Sequence, residues 1–271
     1  MVPRESKVEI IKTHIINMKS NFDNCSIVVS SCDIFEDVWK PFFTLFFRYW
    51  PDCPFPIYLI TNYKKYDDSR VISLAVGEDK RFASNLRVAL KSISTPYILY
   101  LQEDYLLEKK TDTANLLRFF TYLREYDAAY VRLSPMPRPD KIYPSGDIGE
   151  LDKNAPYRTS LQAAFWDKNV LLELLRNGES GWDFEVKGTE RSREISRKFL
   201  CSTKMIIPYF MTTAIKKGMW YYDAVKLCER ENIPLDLSKR KVESKTEYRR
   251  RKMRNNILHP LKNFVRKILS F

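Results

Sequence analysis

The chain has 271 residues and a formal net charge of +12, with 44% hydrophobic and 30% charged residues. That balance excludes a wholly disordered chain, and at this length a fold can bury ~75% of its unfolded surface without disulfides or structural metal. Seven glycines exclude collagen-like and Gly-rich architectures, while 16 Phe, 16 Tyr and 5 Trp suit a core rich in strands.

Residues 1–24 are ambiguous, although Val8, Ile11, Ile15 and Met18 have helical spacing. SIVVSSCD reads as a buried strand ending in small and acidic residues, and IFEDVWKPFFTLFFRYW as a helix interrupted or started at Pro41. PDCPFP is a loop, and PIYLITN and RVISLAV are two further strands. RFASNLRVALKSI is a helix with Phe82, Leu86, Ala89, Leu90 and Ile93 on one face. TPYILYLQEDYLL is a strand that ends in acids. TDTANLLRFFTYLREY is a helix with Thr111 or Thr113 as N-cap, and AAYVRLS is a strand.

Beyond Ser134, PMPRPDKIYPSGDIGE reads as a lid or substrate loop, YRTSLQAAFW as a strand and DKNVLLELL as a helix. KMIIPYFMTTAI is expected to form one or two strands and GMWYYDAVKLCEREN a last helix. The early strands are continuous apolar runs alternating with helices, the pattern of a mostly parallel sheet covered on both faces. Ligands of such sheets sit at the carboxyl ends of the strands. Three of those ends are polar here: Ser31-Cys32-Asp33, Thr61-Asn62 and Gln102-Glu103-Asp104.

The charge is uneven. From Ser238 onward twelve Lys and Arg face only Glu243 and Glu247, leaving 34 basic and 32 acidic residues for the preceding body. Residues 239–254 are polar and basic. In 257–271, Leu261, Phe264, Val265, Ile268 and Leu269 recur on one helical face, with Lys262, Arg266 and Lys267 among the residues opposite. A basic run followed by such a stripe suits an anionic membrane surface, contacted through 239–271. Docking of the stripe on protein is the alternative. Nucleic acid is disfavoured because the body has no second basic cluster.

PFFTLFF is far short of the ~20 residues that span a bilayer, and MVPRESKVEIIK has no apolar signal core. Five cysteines without a CxxC pair point to reduced thiols, and His14 and His259 are too few for a His-rich zinc site. The expected location is therefore cytoplasmic, peripheral on the inner face of the plasma membrane.

The acids of YILYLQEDYLL carry the most chemistry. Adjacent carboxylates at the end of a buried strand repel each other unless a cation or donors meet them, and hard oxygen ligands suit Mg²⁺ or Mn²⁺ holding a diphosphate. The alternative is a solvated strand end paired with lysines such as Lys109.

The stretch RFASNLRVALKSISTPYILYLQEDYLL resembles the GT-A-type nucleotide-sugar glycosyltransferases of bacterial surface-polysaccharide type, in which a helix leads into a strand ending in an acidic metal-binding motif. SIVVSSCD and PIYLITN are similar to the first strands of that fold, and YRTSLQAAFWDKNVLLELLRNGESGWDFE to its acceptor half. The resemblance spans about 25–235. It implies an α/β, Rossmann-like GT-A fold, a mostly parallel central sheet flanked by helices with a C-terminal amphipathic helical tail. It implies one catalytic domain over 1–237, with a donor half at about 25–134 and an acceptor half at about 135–237, and the tail at 238–271. Gln102-Glu103-Asp104-Tyr105 departs from Asp-X-Asp, with Tyr105 where a third acid would stand.

By position, Asp104 and then Glu103 are the candidate metal ligands, Glu103 also meeting the donor. Glu185, ahead of Asp183, is the candidate base, since an acceptor hydroxyl must lose its proton to a carboxylate if the transfer inverts. Trp182 offers an acceptor sugar a flat apolar face. Ser31, Asp33, Asn62, Arg81, Asn85 and Arg87 are candidate donor contacts, the arginines as phosphate partners.

Each has a structural alternative. Asp33 can cap a helix, Asn62 can end a strand, the arginines can be solvated, and Asp183 and Glu185 can be the favourable acids of a helix N-terminus. The expected activity is sugar transfer from a nucleotide-diphosphate donor to a glycan or lipid-linked acceptor at the cytosolic membrane face. A nucleotidyltransferase acting on sugar phosphates is the rival enzyme, disfavoured because SSCDIFED lacks a Gly-rich phosphate loop. A non-catalytic membrane or nucleic-acid adaptor is the third reading.

Overall fold

A computed structural model describes residues 24–210 and 213–254. Its elements run in the order β1 (Cys25–Ser30), α1 (Glu36–Tyr49), β2 (Ile57–Thr61), β3 (Val71–Ala75), α2 (Arg81–Lys91), β4 (Tyr97–Gln102), α3 (Thr113–Glu125) and β5 (Ala128–Arg132). Then come β6 (Lys141–Ile142), β7 (Ile148–Glu150), β8 (Ala164–Asp167), α4 (Lys168–Leu174), β9 (Lys198–Ser202), β10 (Ile215–Lys216), β11 (Met219–Trp220) and α5 (Tyr222–Arg230). A helix over 245–254 follows.

Nine strands form one sheet in the order β3-β2-β1-β4-β8-β5-β9-β7-β6. The first four are parallel, β8 runs antiparallel between β4 and β5, and β5 pairs parallel with β9. Only β7 and β8 run against the rest. This is a Rossmann-like α/β architecture, a mostly parallel central sheet flanked by helices. Its strands have two buried faces, which is why they read as unbroken apolar runs. Ile27 and Val29 of β1, with Leu99 and Leu101 of β4, pack with α1 and α3. Val28, Ile98 and Tyr100 pack on the other face with α2 and α4.

Several local expectations change. The helix α1 runs through Pro41 and is not interrupted there. Asp112, between the two threonines expected to cap α3, is its N-cap, its carboxylate accepting from the Asn115 N–H at 3.0 Å. The Pro-rich stretch expected as a lid contributes the β6–β7 hairpin, which extends the sheet edge against β9. Strand β9 comes from KFLCS, which charged flanks hid. KMIIPYFMTTAI holds a bridge at Tyr209 and, from Ile215, the start of the short β10.

Residues 239–254 lie on the body. Trp220 bridges Val242, Lys239 meets Glu36 at 2.8 Å, and Arg240 meets Asp37 at 2.8 Å with side-chain exposures of 8% and 0%. The amphipathic stripe Leu261 to Leu269, both histidines and Val8 to Met18 lie outside the described residues. No helix among the described residues is long and apolar enough to cross a membrane, and the five cysteines are free thiols.

Removing one partner of a buried ion pair leaves an uncompensated charge and costs about 3–5 kcal/mol. Arg240→Ala should therefore lower the urea midpoint strongly, and Arg240→Ala/Asp37→Asn should recover part of the loss. Equal midpoints for wild type and Arg240→Ala would mean that the pair carries no stability.

Candidate active site

The parallel half places the carboxyl ends of β1, β2 and β4 side by side, and a cleft of about 230 Å³ opens there. Ser31 and Cys32 after β1, Asp79, Arg81 and Asn85 around the start of α2, and Glu103 and Asp104 after β4 line it, with Phe35 and Phe82 as apolar walls. Five of the residues singled out from sequence therefore meet: Ser31, Arg81, Asn85, Glu103 and Asp104. Ser31 Oγ accepts from the Trp39 indole at 2.7 Å, which fixes the β1–α1 loop.

The wall opposite α1 is a shaped turn. Asp79 Oδ1 accepts from the Arg81 N–H at 2.9 Å and from Asn85 Nδ2 at 2.8 Å, and Asn85 Oδ1 accepts from the Lys80 N–H at 3.1 Å. These bonds hold Arg81 at φ 71°, a left-handed conformation a non-glycine residue keeps only where its surroundings impose it. The strain sets the only arginine in the cleft lining at the cleft mouth.

The acids behave as a desolvated pair. Burial, then the charge of Asp104, raises the Glu103 carboxyl well above its usual range. Burial pushes Asp104 up to about 6 against the relief of a hydrogen bond from Thr213. The Cys32 thiol, pushed up to about 11 by burial and then by Glu103 and Asp79, reports the same negative field. Asp104 Oδ2 takes the Thr213 hydroxyl, while Oδ1 is buried without a partner among the described residues.

Among the described residues no three His, Cys, Asp or Glu side chains cluster as metal ligands. The free Asp104 oxygen beside Glu103 nevertheless fits a hard cation that completes its shell with phosphate oxygens and water, as Mg²⁺ does.

Glu185 is not among the residues that line the cleft. GWDFE begins a helical segment, Gly181–Glu194, that includes a turn of π-helix at Phe184–Gly188. Gly181 packs beside the Leu161 side chain, in the bend leading into β8. Glu185 Oε1 then accepts from the Leu161 N–H at 2.8 Å and from Ser160 Oγ at 3.2 Å. The buried Tyr100 phenol is raised by burial and by Glu103, Asp104 and Glu185 together, so the three carboxylates share one neighbourhood.

Other expectations fall away from the cleft. Asp183 and Ser180 form a reciprocal capping box, and Asp183 also pairs with Lys187 at 3.0 Å. The Ser180 hydroxyl, then Lys187, holds the Asp183 carboxyl well below the usual carboxylate range, which suits a helix start and not a base. Asp33 accepts from the N–H groups of Asn62 at 2.8 Å and Tyr63 at 3.0 Å, and Asn62 accepts from the Asp33 N–H and donates to Gly77. This reciprocal clamp stands behind the cleft and shapes its floor. Arg87 donates to the carbonyls of Leu172 and Leu175 at the end of α4. Trp182 is 65% exposed and edge-on to Tyr157.

Sequence reasoning missed Asp79, Phe35, Thr213, Ser160 and Arg240. Only Asp79, an acid directly before a helix, carried a local signal. The others reach the site through contacts distant in the chain.

No family model matches the chain, and no curated protein matches it. Among solved structures it is similar to residues 1–349 of TarS from S. aureus in complex with UDP-GlcNAc, with TM-score 0.48 and 12% identity, covering 71% of this chain and 59% of that one. The UDP complex of TarS gives 0.47 and 13%, covering 80% and 67%. The bifunctional IspDF from Campylobacter jejuni gives 0.32 and 12%, covering 56% and 42%. The chain thus spans 59% of the first of these structures.

The folded chain holds the Asp104 proton more tightly than the unfolded chain does, so this carboxyl takes stability away as pH rises from about 3.8 to about 6. Asp104→Asn should therefore raise the melting temperature at pH 8 and lose that advantage near pH 4. Thermal melts at both pH values check this, and an advantage of equal size at both would overturn it.

Proposed function

We propose that this chain is a glycosyltransferase that takes a nucleotide-diphosphate sugar in the cleft and passes the sugar to a glycan or lipid-linked acceptor at the cytosolic face of a membrane. One observation supports this above others: the acid pair at the end of β4, with one Asp104 oxygen unpartnered among the described residues, lines a cleft together with Arg81 at the carboxyl edge of a parallel sheet. A diphosphate fits that arrangement only with a cation between it and the acids. Asp104 and Glu103 would hold Mn²⁺ or Mg²⁺, which when bound neutralises the leaving diphosphate.

Arg81 meets a phosphate from the opposite wall, while Ser31 and Asn85 offer polar contacts within its reach. In an inverting transfer the acceptor oxygen bonds to the anomeric carbon, the bond from that carbon to the diphosphate oxygen breaks, and its electron pair leaves with the diphosphate. The acceptor proton passes to Glu185, oriented for this by Leu161 and Ser160. Trp182 and Tyr157 present aromatic faces beside Glu185 for the acceptor's sugar ring.

A nucleotidyltransferase would use the same acids but would need a backbone cradle for a triphosphate. The β1–α1 turn, Ser31 to Phe35, contains no glycine to build one.

Thermal shift with UDP, GDP, CDP and TDP, with and without Mn²⁺, tests the donor site. One nucleotide should stabilise the protein, by ~2.7 kcal/mol at 100 times its dissociation constant, and only with the metal. No shift with any of them would overturn the reading. Once a donor is found, Glu185→Gln should slow transfer by ~10²-fold or more with donor binding unchanged. Asp183→Asn should weaken the helix start and leave the rate near wild type. Full activity in Glu185→Gln would move the base elsewhere.

A further inference from the structure

A second recess, about 320 Å³, opens between the β10–β11 hairpin and the helix over 245–254, with Lys216, Lys217, Arg250 and Arg254 on its walls. Its acids are already engaged. Glu243 is held by Arg251 at 2.7 Å, and Glu247 caps the helix by accepting from the Ser244 N–H at 2.8 Å and hydroxyl at 2.7 Å. Arg251 is spent on docking the helix, stacked 4.1 Å over the Tyr221 ring and paired with Glu243. Tyr248 adds a ring contact to Tyr222 at 5.0 Å. The four remaining cations have no carboxylate at ion-pair distance among the described residues. Arg250 and Arg254 stand one helical turn apart, and Met253 beside them is 58% exposed.

We propose that this groove docks on the anionic surface of a lipid bilayer, with Lys216, Lys217, Arg250 and Arg254 against the headgroup phosphates. Charge complementarity gives the sign of the partner. The sequence gives its kind: outside the described residues, 257–271 carry Leu261, Phe264, Val265, Ile268 and Leu269 at helical spacing among Lys262, Arg266 and Lys267. A nucleic acid offers nothing to an apolar stripe, whereas a bilayer takes stripe and charge together. The hairpin makes the surface two-sided, so the body and not only the terminal segment meets the lipid.

The hairpin also fixes orientation. Thr213 and Ala214, which bond the Asp104 carboxylate and carbonyl, run straight into β10, so Lys216 is three residues from Thr213 and at most ~10 Å along the chain. Docking thus brings the acid end of the sheet close to the lipid. That consequence for a lipid-linked acceptor rests on the glycosyl-transfer reading, whereas docking itself does not.

The test is sedimentation of the full chain with vesicles of pure phosphatidylcholine and of equimolar phosphatidylcholine and phosphatidylglycerol. Wild type should bind the mixed vesicles, less at high salt, and leave the neutral ones. Lys216→Glu/Lys217→Asp and Arg250→Glu/Arg254→Glu should each weaken binding by on the order of tenfold or more. Aspartate suits the left-handed backbone at Lys217, φ 51°. Lys91→Glu/Lys153→Glu, which line neither recess, should bind as wild type.

Thermal melts confirm that each variant is folded. If the Arg250/Arg254 variant is not, Lys216→Gln/Lys217→Asn should still show a smaller loss. Wild-type binding by both groove variants, failure of wild type to bind the mixed vesicles, or groove-dependent binding of an oligonucleotide in place of vesicles would each overturn the proposal. Vesicle binding without any nucleotide shift would leave docking standing and remove the transferase reading instead.

Discussion

Two adjacent carboxylates, Glu103 and Asp104, leave the end of a strand that is buried on both faces and paired on both edges, and much of the surrounding structure answers that constraint. Strand β4 lies between β1 and β8, so its last residues emerge at the middle of the sheet and not at a solvated rim. A charge there loses water that protein must replace. The replacement is partial. Thr213 satisfies one oxygen of Asp104, Ala214 donates to its carbonyl, and Arg240 adds a favourable field at Glu103. One buried oxygen remains open. A structure that merely tolerated the acids would have closed that last valence or replaced the acid by an amide. An unmet acceptor beside a second raised carboxyl calls for one more donor or cation.

The parts of this arrangement written in local sequence were the parts readable from it. Continuous apolar runs such as SIVVS and YILYL have no polar face, so they report a doubly covered sheet directly, and the acids following YILYL stand out against them. The antiparallel insertion of β8 leaves no such mark: AFWD is four residues long and equally apolar whichever way it runs. Strand β9 was lost for the opposite reason, since its apolar core Phe199–Leu200–Cys201 is shorter than the charged stretch before it. Asp183 and Glu185 show the limit most clearly. Two residues apart in one segment, they differ in the sequence reading only by a preference for Glu185. The fold separates them further, giving Asp183 to a helix start at Ser180 and Glu185 to the Leu161 N–H before β8.

The electrostatics also explain why the cleft is shaped by strain. Its lining holds Glu103, Asp104 and Asp79 against one arginine. Among the described residues Arg81 makes no ion pair with any of them. Asp79 instead engages the Arg81 N–H, and the left-handed backbone turns the side chain so that its guanidinium reaches the Gly178 carbonyl at 3.3 Å. The cation is kept available and the acids are kept unpaired, at the local cost of an unfavourable φ.

The C-terminal third of the described chain is therefore part of the site. Thr213 and Ala214 arrive from the segment before β10, and Arg240 arrives from beyond α5, where its guanidinium bonds the Ile34 carbonyl and lies 4.5 Å from the centre of the Phe35 ring. Phe35 is a wall of the cleft, and its loop begins at Ser31, itself pinned by Trp39. Residues 25–134 alone would present the acids with neither their hydroxyl donor nor their distant cation, and would leave Asp37 without Arg240. Sheet, cleft and terminal strap must consequently form as one cooperative unit, because each supplies the charge or donor that makes the burial of the others tolerable. The basic surface at 216–254 is thereby joined to the acids through a few residues of backbone, Thr213 to Lys216.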